Sequence, residues 1–127
     1  GMANWTPDGF IGQLFKTIGQ HVKPPAGIES PALWGSRTRI DELFGAQASA
    51  MEVTTRQYNF RYRSPAHWLE IFKTFYGPVL KAFAALDATA QPKLASDLMA
   101  LIGRFNRAQD GTMVAPGDYL EIVITKR

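Results

Sequence analysis

The chain has 127 residues, 46% of them hydrophobic and 20% charged, with a formal net charge of +3; this suits one domain with a core of its own, spanning 1–127, and not two. It contains no cysteine, which excludes disulfides, thiolate nucleophiles and cysteine-held zinc or iron–sulfur centres. The pI near 9.4 does not by itself point to nucleic acid: Arg37, Arg39, Arg56, Arg61, Arg63, Arg104 and Arg107 are spread among acidic residues without a block of like charge, the pattern of a solvated mixed surface.

No apolar run approaches the ~20 residues of a membrane span, and no basic segment followed by an apolar stretch marks an export signal. The expected location is the cytoplasm, with neither membrane nor nucleic acid as partner. Gly1 ahead of Met2 reads as an expression scar.

The first element predicted is the exit of a buried strand at Trp5, followed by a helix. Thr6 is placed to cap it, Pro7 to occupy its first turn and Asp8 to face the positive end of its dipole. Phe10, Ile11, Leu14, Phe15 and Ile18 form its apolar stripe. Gly9 and Gly12 weaken the helix, and close approach of another backbone is a reason for them.

The stretch KPPAGIESPALWG forbids a regular element. Ile28, Leu33 and Trp34 are expected to anchor it against the body. A short helix RTRIDELF follows, capped by Ser36 and stopped by Gly45, with Ile40, Leu43 and Phe44 on its apolar face.

Residues 49–63, SAMEVTTRQYNFRYR, read as a long strand. Met51, Val53 and Thr55 share one parity, and Tyr58, Phe60 and Tyr62 the other. Either a β-bulge near Arg56-Gln57 or cover on both faces reconciles the two halves.

Ser64-Pro65 opens a helix carrying Trp68, Leu69, Ile71, Phe72, Phe75 and Tyr76. Gly77-Pro78 breaks it, a second helix resumes over PVLKAFAAL, and a third runs from about Ala90 to Phe105 with Pro92 in its first turn. Asp110-Gly111 and Pro116-Gly117-Asp118 read as turns, and DYLEIVITKR as a closing strand, apolar on both faces and therefore interior.

The resulting fold class is α+β, helices packed on a small sheet. In this order the segments ANWTPDGFIGQLFKTIGQH, SPALWGSRTRIDELFG, RYRSPAHWLEIFKTFYGP and APGDYLEIVITKR resemble the C-terminal portion of a Rossmann-like S-adenosylmethionine-dependent methyltransferase of the small-molecule type. The resemblance covers nearly all of this chain and only the back half of such an enzyme.

That resemblance implies a small antiparallel sheet in which the strand at about 50–63 pairs with 118–126, the last strand lying antiparallel between the fifth and sixth strands, and a glycine-rich loop after the first strand to hold the cofactor. No G-x-G occurs here, so the cofactor-binding half is expected to have preceded this chain or to be a separate partner. S-adenosylmethionine is then the cofactor of an intact relative, with no cofactor bound by this chain. It also implies substrate contacts at Asn4 and Trp5, at the carboxyl end of the expected fifth strand, and at Trp68, Phe72 and Tyr76.

No catalytic residue is assigned. His21 and His67 lack an orienting acid and a nucleophile, and neither stands in a metal-ligand frame. His67 reads as a surface residue and His21 as a favourable charge at a helix end. The function expected is a C-terminal fragment that supplies substrate cap and oligomer surface without methyl transfer of its own. The alternative is a free-standing α+β module with an aromatic-lined apolar pocket. A homodimer is expected through an exposed strand edge, or through the N-terminal helix with Phe10, Leu14 and Phe15.

Overall fold

In the computed structural model all 127 residues are described. The order is β1 (Met2–Trp5), α1 (Phe10–His21), a 3₁₀ turn (Pro31–Gly35), α2 (Arg37–Phe44), β2 (Ala48–Tyr62), α3 (Pro65–Phe75), α4 (Gly77–Ala85), α5 (Gln91–Phe105) and β3 (Met113–Lys126). The protein is α+β, five helices and one three-stranded sheet of order β1-β3-β2. β3 runs antiparallel to both neighbours, pairing Trp5 with Tyr119 on one side and Val53 with Ile122 on the other.

The change of parity in β2 is resolved by two-sided cover. Register with β3 is unbroken from Ala50 to Tyr62, and its one irregularity falls between Ala48 and Ala50, far from Arg56. Since successive side chains alternate between faces, Phe60 and Tyr62 join Met113 and Ala115 in the main core beneath α1, α3, α4 and α5. Met51 and Val53 turn the other way, into a small second core with Leu120, Ile122 and Ile40 of α2. Each face is thus covered over a different half of the strand. On the main-core face Tyr119 is half-buried and Val123 exposed, beyond the reach of the helices.

β3 begins at Met113, five residues before the expected start at Asp118, so Pro116-Gly117-Asp118 is strand and not turn. The two apparent breakers have physical reasons. Pro116 lacks an N–H and stands beyond the reach of β1, which pairs only from Tyr119 to Ile122. Gly117 leaves room for two rings: a β-carbon there would meet Phe60 at 2.8 Å and Trp5 at 3.3 Å.

The start of α1 also differs from expectation. Thr6 Oγ1 accepts from the Gly9 amide at 3.2 Å, closing a turn, and the helix begins only at Phe10 with Gly9 as its N-cap. Both glycines meet other backbone. A β-carbon on Gly9 would touch the main chain of Asp118 at 3.3 Å, and one on Gly12 would overlap the carbonyls of Thr6 and Pro7. Ser64 caps α3 as predicted, its hydroxyl accepting from the His67 amide at 3.0 Å, whereas the Ser36 side chain makes no cap to α2. Gly45 is right-handed, with φ −54°, and the chain turns on as a 3₁₀ segment before β2.

The proline-rich loop is held only in part by the residues expected. Leu33 is half-buried and Trp34 packs on Phe44 at 6.1 Å, but Ile28 is 64% and Trp34 43% exposed, while Ala32 and Gly35 are buried. Small groups that allow close approach add to the anchoring. Phe75 likewise departs from the α3 stripe, being exposed where Trp68 and Phe72 are buried.

Candidate functional site

The predicted site residues divide into two groups. Trp68 and Phe72 are core: both are buried, with ring centroids 4.4 Å apart, and Phe10 lies 5.6 Å from Trp68. Tyr76 packs on Phe72 at 4.7 Å and is half-buried, and burial pushes its phenol above the usual tyrosine pKa. Their stripe at helical spacing is the packing face of α3.

Asn4 and Trp5 lie at the carboxyl end of β1, beside the surface. Trp5 forms one wall of a hollow of about 280 Å³ completed by Tyr58, Tyr119, Ala3 and Asn4. The Trp5 ring meets Tyr119 edge-on at 5.8 Å and 80°, and Tyr58 at 6.4 Å and 67°. Trp5 also reaches the core through Phe60 at 5.5 Å, so one side of the indole is fixed while the other faces the hollow.

Tyr58 and Tyr119 were not foreseen as lining residues. The parity of Tyr58 with Phe60 was legible in β2; the register that sets Tyr58 opposite Gly117, one diagonal step from Tyr119, was not.

Asn4 has both ends of its amide engaged. Its Nδ2 donates to the Pro31 carbonyl at 2.9 Å, and its Oδ1 accepts from the Trp5 amide at 2.9 Å. It ties the proline-rich loop to β1, and one Nδ2 hydrogen and one lone pair of its oxygen remain for other partners. Further along the same sheet face, Glu121 holds Arg56 through two hydrogen bonds of 3.0 and 3.2 Å, which raise the guanidinium pKa.

The hollow therefore offers aromatic faces and phenol hydroxyls, suited to an apolar or planar group. It brings together no base, nucleophile and acid in hydrogen-bond reach. His67 is half-buried, edge-on to Tyr62 at 5.7 Å, with its Nδ1 unpartnered. His21 joins α1 to α5 through Asp97, Nε2 to Oδ2 at 2.6 Å. No group of three or more His, Asp or Glu side chains is assembled in metal-ligand proximity.

This fold and hollow define an α+β protein with an aromatic surface site at the end of a short edge strand. No protein-family model matches the chain. It is 35% identical to the uncharacterized protein Rv1403c of Mycobacterium tuberculosis H37Rv over 88 residues, 65% of this chain and 31% of that protein. It is 26% identical to the uncharacterized protein Rv1405c of the same strain over 132 residues, covering all of this chain and 46% of that protein. Uncharacterized protein Mb1438c of Mycobacterium bovis matches as Rv1403c does, at 35% over 88 residues. The chain thus spans less than half the length of the curated relatives it matches.

Proposed function

We propose that the chain is the C-terminal segment of an S-adenosylmethionine-dependent methyltransferase-like protein, supplying substrate cap and oligomer surface without methyl transfer of its own. The observation that carries this reading is the strand order. β3 lies antiparallel between β1 and β2, the arrangement that the last strand adopts between the fifth and sixth strands in that family. β1 then corresponds to the end of the fifth strand, and the Trp5, Tyr58 and Tyr119 hollow lies where an acceptor substrate is held.

Methyl transfer requires the sulfonium donor and the acceptor to be held in line. The donor is S-adenosylmethionine, and its cradle belongs to a glycine-rich loop that this chain does not contain. In this reading the chain contributes one wall of the acceptor site, and the longer mycobacterial relatives carry both halves. A cytoplasmic location belongs to the same proposal; no helix is long and apolar enough to cross a membrane.

The homodimer belongs to it as well, and its surface follows from the packing. Phe10 and Leu14 are fully buried in the chain's own core, so α1 does not offer them to a copy. The closing strand has β1 and β2 on its two sides. The open edge is the outer side of β2, fifteen residues long, and two copies meeting there about a two-fold axis would extend the sheet.

Isothermal titration with S-adenosylmethionine tests the reading on two proteins. No heat of binding is expected for this chain, and a micromolar Kd for full-length Rv1405c. Micromolar binding by the chain alone would overturn the missing cradle, and no binding by the full-length relative would overturn the family reading.

One observation favours the self-contained module instead. The edge of β3 beyond β1 is closed by the chain itself: the Arg107 amide donates to the Val114 carbonyl at 2.9 Å, and Asn106 Oδ1 accepts from the Val114 amide at 2.9 Å. In that reading the aromatic pocket is the surface hollow at Trp5, since Trp68 and Phe72 are buried in the core.

A further inference from the structure

We propose that the cleft between the C-terminal half of α1, the proline-rich loop and α4 is a binding site for an amphipathic carboxylate, an anion with a flexible apolar tail. The cleft measures about 510 Å³, within the range of roughly 300–1,000 Å³ of small-molecule sites. It lies beside Ile18 and Val22, at the end of α1 remote from the Trp5 hollow, and does not depend on the methyltransferase reading.

Its walls are apolar and stiff. Phe15 and Ile18 of α1, with Val22 just past its end, face Ala82 and Ala85 of α4. The third side is built from Pro24, Pro25 and Pro31, and Pro78 completes the rim. Proline has a fixed φ and no N–H, so these three residues stiffen the wall and add no backbone donors to it. The loop is also held from outside. Asn4 Nδ2 donates to the Pro31 carbonyl at 2.9 Å, and Arg39 Nη2 donates to Glu29 Oε2 at 2.7 Å. Gly27, at φ +80°, makes the turn that carries Ile28 to the cleft mouth. Ile28 lines the cleft yet is 64% exposed, apolar surface that a bound tail would remove from water.

The unpaired charge at the rim is positive. Lys23 and Lys81 line the cleft without an ion pair, and the only carboxylate there, Glu29, is taken by Arg39. Two free ammonium groups above an apolar floor select a negative head with a hydrocarbon tail. The two ammonium groups act as point charges, so a carboxylate head can be held without a planar fork to fix its orientation.

The test is isothermal titration of the full chain with decanoate, decanol and decyltrimethylammonium, each below micelle formation. Decanoate is expected to bind about tenfold or more tightly than decanol, with the cation weakest. The double variant Lys23→Glu/Lys81→Glu reverses the order of the anion and the cation. Gly19→Leu supplies the second arm: Gly19 lines the cleft, a β-carbon there meets nothing within 4 Å, and leucine favours the helix. This variant is expected to keep or raise the thermal midpoint while weakening decanoate about tenfold by filling the cleft. Absence of decanoate binding, equal affinity for all three probes, or undiminished decanoate affinity in Gly19→Leu would each overturn the site.

Discussion

Gly35 lies against the main-chain carbonyl of Trp5, so closely that a β-carbon on residue 35 would overlap the carbonyl oxygen. The 3₁₀ turn Pro31–Gly35 is therefore seated on the edge of β1 by the absence of a side chain. Gly35→Ala is expected to lower stability by about 2–3 kcal/mol through overpacking against backbone that cannot move aside. Gly19→Ala, at an open helical position, is expected to raise it by up to ~1 kcal/mol. Urea denaturation of the two variants beside the parent measures both, and equal midpoints would contradict the packing described.

Trp68 and Trp5 are expected to respond differently to truncation. Trp68 has no exposed surface and packs between Phe10 and Phe72, so Trp68→Ala is expected to cost about 3–5 kcal/mol. Trp5 is half-buried with one side on the hollow, and Trp5→Ala is expected to cost less than about 2 kcal/mol. Thermal melts followed by circular dichroism rank the pair. A larger loss at Trp5 would mean that its contact with Phe60 holds the core and not merely the edge of the hollow.

Alkaline pH is expected to weaken the fold through Tyr76 and Tyr62. Burial raises both phenols above the usual value near 10, and the neighbouring Tyr58 adds a smaller upward push at Tyr62. Below pH ~10 the folded and unfolded chains both hold these protons, and the contribution to stability is constant. Above it the unfolded chain releases them first, binds fewer protons than the folded chain, and stability falls as the pH rises. Tyr76→Phe is expected to flatten this alkaline limb in urea titrations from pH 8 to 11; an unchanged slope would assign the loss to other groups.

Amide exchange distinguishes a free β2 edge from a paired one. In an isolated antiparallel edge strand the amides alternate between bonded to the sheet and open to water. Along Ala50–Tyr62 a monomer would show every second amide exchanging fast, and the proposed dimer would protect consecutive ones. Light scattering supplies the mass, expected near twice the 14.1 kDa of one chain. A single-chain mass with alternating protection would remove the dimer from the proposed function.

The elements with one clear period were legible in the sequence. α5 was foreseen to within a residue, because Leu94, Leu98, Leu101 and Ile102 mark a single buried stripe, and the Ser64-Pro65 start of α3 because its cap is local. What failed depended on distant neighbours. Pro116 and Gly117 carry turn chemistry, yet the position of β1 tolerates the first and the rings of Phe60 and Trp5 require the second. Ile28 looked like an anchor on hydrophobicity alone, while the loop is seated by Gly35 on Trp5 and by Asn4 on Pro31. Of the candidate site residues, Asn4 and Trp5 stand at the end of β1, as the resemblance implied, and line the hollow. Tyr58 and Tyr119 come together only through register between segments about sixty residues apart in sequence.

The middle strand of the sheet is the last of the three to be synthesised. Within this chain β1 and β2 bond only to β3, so neither finds a partner in it until Met113–Lys126 has left the ribosome. Until then both strands, and the apolar faces of Phe60 and Val53, are open to other molecules. The helices between β2 and β3 make local bonds and form early, whereas the sheet joins residues as far apart as Met2 and Ile122, a closure that is slow for any chain. A nascent chain halted before Met113 is therefore a helical body with two unpaired strands, the form in which this protein is most open to capture by a chaperone and most prone to aggregate.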